Sequence, residues 1–126
     1  MKALAPLLMF ANASVFLFGA VQHAGVALGP FHEPRILPAA IVETICGLLL
    51  AGGAAALLRT AGAKKGLALT ANFVAVGGVL LGMVALAVGA GPRTASNDLC
   101  HRIMLILAGA SVVVPLVRRS RLGGGS

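Results

Sequence analysis

The chain has 126 residues, 59% of them hydrophobic and only 10% charged, with a mean hydropathy of +1.00, which is more apolar surface than one small water-soluble core could hide. These figures exclude a soluble globular domain and a disordered chain, and two cysteines are too few for a disulfide-rich secreted scaffold. An integral membrane protein remains, and the net charge of +7 then reads as a topogenic signal rather than as a sign of nucleic acid.

The first apolar stretch, Ala3 to Leu28, carries no acidic or basic residue but His23. As a helix it would rise about 39 Å, against a hydrocarbon core of about 30 Å. A connection from Gly29 to Arg35 follows, bracketed by Pro30, Pro34 and Pro38. The second span, 36–58, is interrupted only by Glu43, and a basic connection, Arg59 to Lys65, leads to a third span, 66–90, with no charge at all. Gly91 to Asp98 then leads to a fourth, 99–117, which carries His101 and Arg102 near its start. Connections this short make sequential spans antiparallel neighbours. The expected fold is a single all-α domain over 1–122, an integral membrane four-helix bundle, and 123–126 has the composition of a flexible tail or linker remnant. Ala11, Asn12 and Ala13 fit a small-x-small cleavage pattern, but the apolar stretch runs on unbroken to Leu28, against a signal peptide. No internal repeat is evident.

Lys2, Arg59, Lys64, Lys65, Arg118, Arg119 and Arg121 fall on one side, against Arg35, Arg93 and Arg102 on the other. The excess places both termini in the cytoplasm, N-in/C-in, in a cell inner (plasma) membrane. The basic C-terminus is then suited to anionic headgroups, and nucleic acid is not implied.

In lipid, small residues let helices approach closely. Gly78 and Gly82 form such a step in span three, and Gly47, Ala51 and Ala55 a similar row in span two. Asn12 and Asn72 lie at similar depth and are expected to hydrogen-bond each other as structural glue, the alternative being that they line a polar path.

The other polar residues gather in the outer half: Gln22, His23, His32, Glu33, Arg35, Glu43, Asn97, Asp98, Cys100, His101 and Arg102. Glu43 lies about 10 Å into span two, where a carboxylate must be paired, protonated or in a wet cavity. Asn12, Phe16, Gly19 and His23 share one helical stripe, and Cys46 and Gly47 follow Glu43 on its face, so both faces are expected to point inward. Asp98 suits an N-cap of span four and an i, i+4 ion pair with Arg102. His32, Glu33, Pro34 and Arg35 read either as a lid or as a plain turn with surface charges.

His23, Glu43 and His101 come from three helices and are expected to converge on one outward pocket, with Gln22, Asn97 and Arg102 as ligand-binding groups. Three readings compete. Two imidazoles and a carboxylate suit zinc or iron, without a local motif such as His-Glu-x-x-His. A quinone or proton site would use Glu43 for proton exchange, His23 or His101 as hydrogen-bond partner of a carbonyl, and Arg102 for developing negative charge. A structural network would merely pair Glu43 with His or Arg102. Haem needs opposed imidazoles at matched depth, whereas both histidines lie near the outer edge. Cys46 and Cys100 are placed at different depths, against a disulfide, and no phosphate-binding Gly-rich loop is present.

The run LPAAIVETICGLLLAGG from Leu37 to Gly53, with Glu43 followed by Gly47 and a Leu-rich stretch, then Arg59 and a third apolar span, resembles the DoxX-like small four-span membrane proteins. The resemblance covers mainly spans two and three, and only Glu43 and Gly47 carry over. Span one departs from the pattern, since Gln22-His23-Ala24-Gly25 stands where the family has a Gly-x-Lys-type end. The resemblance implies a four-helix membrane bundle in redox or quinone-linked chemistry, or the membrane subunit of a partner redox complex. The alternatives from the sequence are a small homo-oligomeric transporter or channel and a ligand-free scaffold subunit.

Overall fold

A computed structural model describes residues 3–29, 33–59 and 65–123. Lys2, Pro30, His32, Lys64 and the end of the tail, 124–126, lie outside the described residues. The described chain is all-α: α1 (Leu4–His23), α2 (Leu37–Arg59), α3 (Lys65–Ala87) and α4 (Ala95–Gly123). α1, α2 and the Gly66–Ala87 stretch of α3 are long and apolar enough to cross a membrane.

Glycines end two of these helices earlier than hydropathy suggests. After α1, Gly25 takes φ +101°; its N–H donates to Gln22 O at 2.8 Å, and Val26 N–H donates to Val21 O at 3.2 Å. This is a Schellman cap, whose left-handed residue is inexpensive only for glycine. Gly89, at φ +77°, closes α3 in the same way, with Gly89 N–H on Leu86 O and Ala90 N–H on Ala85 O. The spans expected to reach Leu28 and Ala90 therefore stop at His23 and Ala87, because apolar content continues past the residues that break the helix.

α1 packs on α2 and α4, and α3 packs on α2 and α4, so the four helices form a ring in chain order. The interior is built from small and polar residues: Ala13, Ala54, Ala68, Ala71, Ala75 and Ala108 surround Met9, Phe16, Leu50 and Met104, with Asn12, Asn72 and Ser111 among them. The large apolar side chains point the other way, and Leu7, Ile41, Leu48, Phe73, Leu81 and Ile106 are all exposed. Apolar outside and small or polar inside is the arrangement a lipid solvent favours.

Glycines set the close approaches. A Cβ on Gly47 would lie 2.8 Å from Leu17 Cγ and 3.3 Å from Ala13 O of α1, and one on Gly78 would lie 2.8 Å from Cys46 Sγ of α2. Gly47 in span two and Gly78 and Gly82 in span three are thus helix contacts, as the sequence leads one to expect, and Ala51 packs against the core.

The expected Asn12–Asn72 hydrogen bond is absent. α1 and α3 each pack on α4, and α4 supplies both partners. Asn12 Nδ2 donates to Met104 O at 3.2 Å, while Asn72 Oδ1 accepts from Ser111 Oγ and its Nδ2 donates to Ala68 O one turn back.

Candidate functional site

At the end where α1 stops and α2 starts, the backbone joins the two helices directly: Ile36 N–H donates to His23 O at 2.9 Å. This link brings the last residue of α1 beside the second turn of α2. His23 Nδ1 lies 2.8 Å from Glu43 Oε2, with the side chains only 5% and 11% exposed. Room for the carboxylate comes from Gly19 one turn earlier in α1, where a Cβ would sit 2.9 Å from Glu43 Oε1. The stripe Asn12, Phe16, Gly19, His23 is buried throughout, and so are Glu43, Cys46 and Gly47.

α3 and α4 complete the site. His101 seats its ring in the notch left by Gly82, where a Cβ would lie 2.8 Å from Nε2. A cavity of about 80 Å³ is lined by His23, Glu43, Gly82, Asn97 and His101, with Ile36, Ala39, Ala85 and Leu86 among its apolar walls. The three residues expected to converge do share one cavity, with Asn97.

Two expected ligand-binding residues lie elsewhere. Arg102 is exposed and does not line the cavity, because it is one residue on from His101 and so turned about 100° around α4. Gln22 is buried, yet it too is absent from the lining. The expected Asp98–Arg102 pair is replaced by Arg93 NH2 on Asp98 Oδ2 at 2.9 Å, with Arg93 Nε on the same oxygen. Nor does Asp98 cap α4. Thr94 does so, its Oγ1 accepting the Asn97 N–H at 3.0 Å, so α4 begins at Ala95 and not at 99.

One residue beside the site has, in the sequence, only the look of a surface charge in a turn. Glu33 is 6% exposed, and both its carboxylate oxygens face Thr94 Oγ1, at 2.9 and 2.8 Å. The periodicity that marks a helix face does not exist in a loop, so no sequence signal points to this burial.

The polar atoms of the site are incompletely matched. Nε2 of His23 is buried with no hydrogen-bond partner among the described residues. Nδ1 of His101 is buried without a bond of good geometry, although the Asn97 backbone is beside it. A neutral His23–Glu43 pair holds its shared proton on either partner. In both forms His23 keeps a hydrogen on Nε2, so the pair presents a donor that lacks an acceptor. A net-neutral pair is also the form that a low-dielectric environment favours.

Among the described residues, no group of three His, Cys, Asp or Glu side chains is arranged to hold a metal ion. The cavity is far too small for a porphyrin. Cys46 and Cys100 are both free thiols, and Cys46 Sγ faces Val74 O of α3 at 3.8 Å. No family model matches the chain, and neither does any curated protein or solved structure.

Proposed function

We propose that this is a four-span, N-in/C-in inner-membrane protein of DoxX-like type. Its site exchanges protons with the oxygen-bearing edge of a small lipid-soluble carrier of the quinone class, alone or as the membrane subunit of a redox complex. The observation that supports this reading most is the buried His23–Glu43 pair at 2.8 Å, whose residues line the cavity and whose His23 Nε2 is buried without a partner among the described residues. The orientation rests on the lysine and arginine asymmetry. α4 joins as the fourth span because it closes the ring between α1 and α3 with a buried face of His101, Met104, Ala108 and Ser111.

The residues fit a carbonyl oxygen. The Nε2–H of His23 donates to it, Asn97 and His101 offer further polar contacts, and the Gly and Ala walls admit a flat edge. The cavity, about 80 Å³, is smaller than the roughly 150 Å³ that encloses benzene, so it takes the edge of a ring while the rest lies outside. A quinone supplies carbonyls that take up protons when reduced, and the chain supplies the proton path. Were a bound quinone reduced by electrons from a partner redox protein, His23 would give its Nε2 proton to the oxygen while Nδ1 takes or keeps the proton it shares with Glu43, leaving a neutral imidazole and a carboxylate to be reprotonated from outside.

The test uses the full chain purified in mild detergent, with mass spectrometry and ultraviolet-visible spectra of extracted small molecules, comparing wild type with Glu43→Gln and His101→Ala. A quinone held by wild type and lost from both variants supports the reading. Wild-type protein with nothing bound, and no quinone retained after addition, overturns it.

A second reading is a proton-linked transporter or channel, favoured by the cavity volume, which matches a few waters at about 30 Å³ each. Proton flux in liposomes that disappears in Glu43→Gln would select it.

A further inference from the structure

Glu33 lies three residues before Ile36, whose backbone is bound to His23 and whose side chain lines the cavity. Across from it, Thr94 ends the connection into α4. The Thr94 hydroxyl works in two directions: it donates to Glu33 and accepts the Asn97 N–H. Its backbone O meanwhile accepts the Asp98 N–H at 3.1 Å. Glu33, three residues of chain before Ile36, is thereby hydrogen-bonded to the residue that caps α4. Asn97 lines the cavity, and His101 follows one turn later.

A plain surface turn would not bury a carboxylate. Among the described residues Glu33 has no ion-pair partner. Its stabilisation comes from the Thr94 hydroxyl and from the positive end of α4, where an acid is favoured.

We propose that Glu33 is a positioning residue of the pocket: through Thr94 it holds the first turn of α4, and with it Asn97 and His101, against the wall that carries His23 and Glu43. The mechanical part stands on the hydrogen bonds alone, and its bearing on a quinone rests on the functional reading above.

Hydrogen exchange of the 95–101 amides, followed by mass spectrometry on the full chain in detergent, tests it. Glu33→Ala and Thr94→Val should each speed exchange there about fivefold, equivalent to about 1 kcal/mol, the usual worth of a cap. Thr94→Ser, which keeps the hydroxyl, should exchange at the wild-type rate, and Glu33→Gln, which keeps the acceptor but not the charge, should fall between wild type and Glu33→Ala. Because Glu33 acts through Thr94, the double variant Glu33→Ala/Thr94→Val should be no faster than Thr94→Val alone. Unchanged exchange in Glu33→Ala overturns the proposal, as does a double variant whose effects multiply. Quinone retention in the same variants separates the two claims. If exchange behaves as stated while wild type retains no quinone, the functional reading fails and the positioning role stands; if wild type retains quinone and exchange does not respond, the reverse holds.

Discussion

Gly19→Ala perturbs the His23–Glu43 pair with little else in its way. The added methyl would meet Glu43 Oε1 at 2.9 Å and Cδ at 3.2 Å, and nothing but the Glu43 carboxyl group is so close. Ordinary contact begins at 3.4 Å, so the carboxylate must retreat by about half an ångström, which a flexible side chain does without moving the backbone. The retreat lengthens or bends the 2.8 Å bond to His23. A charge-assisted bond contributes about 1.5–3 kcal/mol, and weakening it by half loses roughly 1 kcal/mol. Replacing a mid-helix glycine by alanine gains about 1 kcal/mol. The two terms cancel, so thermal stability in detergent should hardly change in the wild-type background. In Glu43→Ala the carboxylate is gone and the gain stands alone, so Gly19→Ala should then stabilise by about 1 kcal/mol. The assay is a double-mutant cycle on positions 19 and 43 by reversible denaturation in mixed micelles. Equal effects in both backgrounds would refute the reasoning, since they would mean that the carboxylate does not rest on Gly19.

Gly25→Ala should destabilise by about 1–2 kcal/mol, because the Schellman cap needs φ +101° and an L side chain is strained there; a melting temperature equal to wild type would count against that cap. Ser111→Ala should cost about 1 kcal/mol, because it strips Asn72 Oδ1 of its buried donor. Asn72→Leu/Ser111→Ala should recover part of that loss, and denaturation midpoints of the single and double variants check both statements.

The apolar spans and their inward faces were legible because helical periodicity records burial directly. His23 follows Asn12, Phe16 and Gly19 at helical spacing, and Glu43 precedes Cys46 and Gly47, so two walls of the pocket were already aligned in the sequence. The third wall was legible as Asn97 and His101, which stand i, i+4 in the sequence and both line the cavity. Side-chain partners were far less so. Asp98 has Arg93 and Arg102 within about one turn, and spacing alone favours the helical i, i+4 partner; the chosen one lies upstream, where Gly89 has already ended α3 and freed the chain. Asn12 and Asn72 share a depth, but depth does not tell which helices are neighbours, and each asparagine bonds to α4 instead. Glu33 was illegible because its burial depends on Thr94, which is distant in sequence and joined only by the tertiary fold.

The layer beneath the pocket bears on what the site is able to do. Three residues from each pocket position, away from the His23 end, stands a buried apolar or weakly polar side chain: Phe16 from Gly19, Cys46 from Glu43, Val79 from Gly82 and Met104 from His101. All four belong to one packed cluster with Met9, Leu50 and Ala75. Three residues of helix are about 4.5 Å, so these side chains form a floor directly under the pocket. The next polar groups lie beyond it: Asn12 donates to Met104 O, and Asn72 and Ser111 bond to each other. A water file through the bundle would have to displace Phe16 and Met104, each at most 2% exposed. On the function proposed above, such a floor fits exchange at one face better than conduction through the molecule. It also separates the His23–Glu43 pair from the polar layer of Asn12, Asn72 and Ser111 by a set of buried side chains.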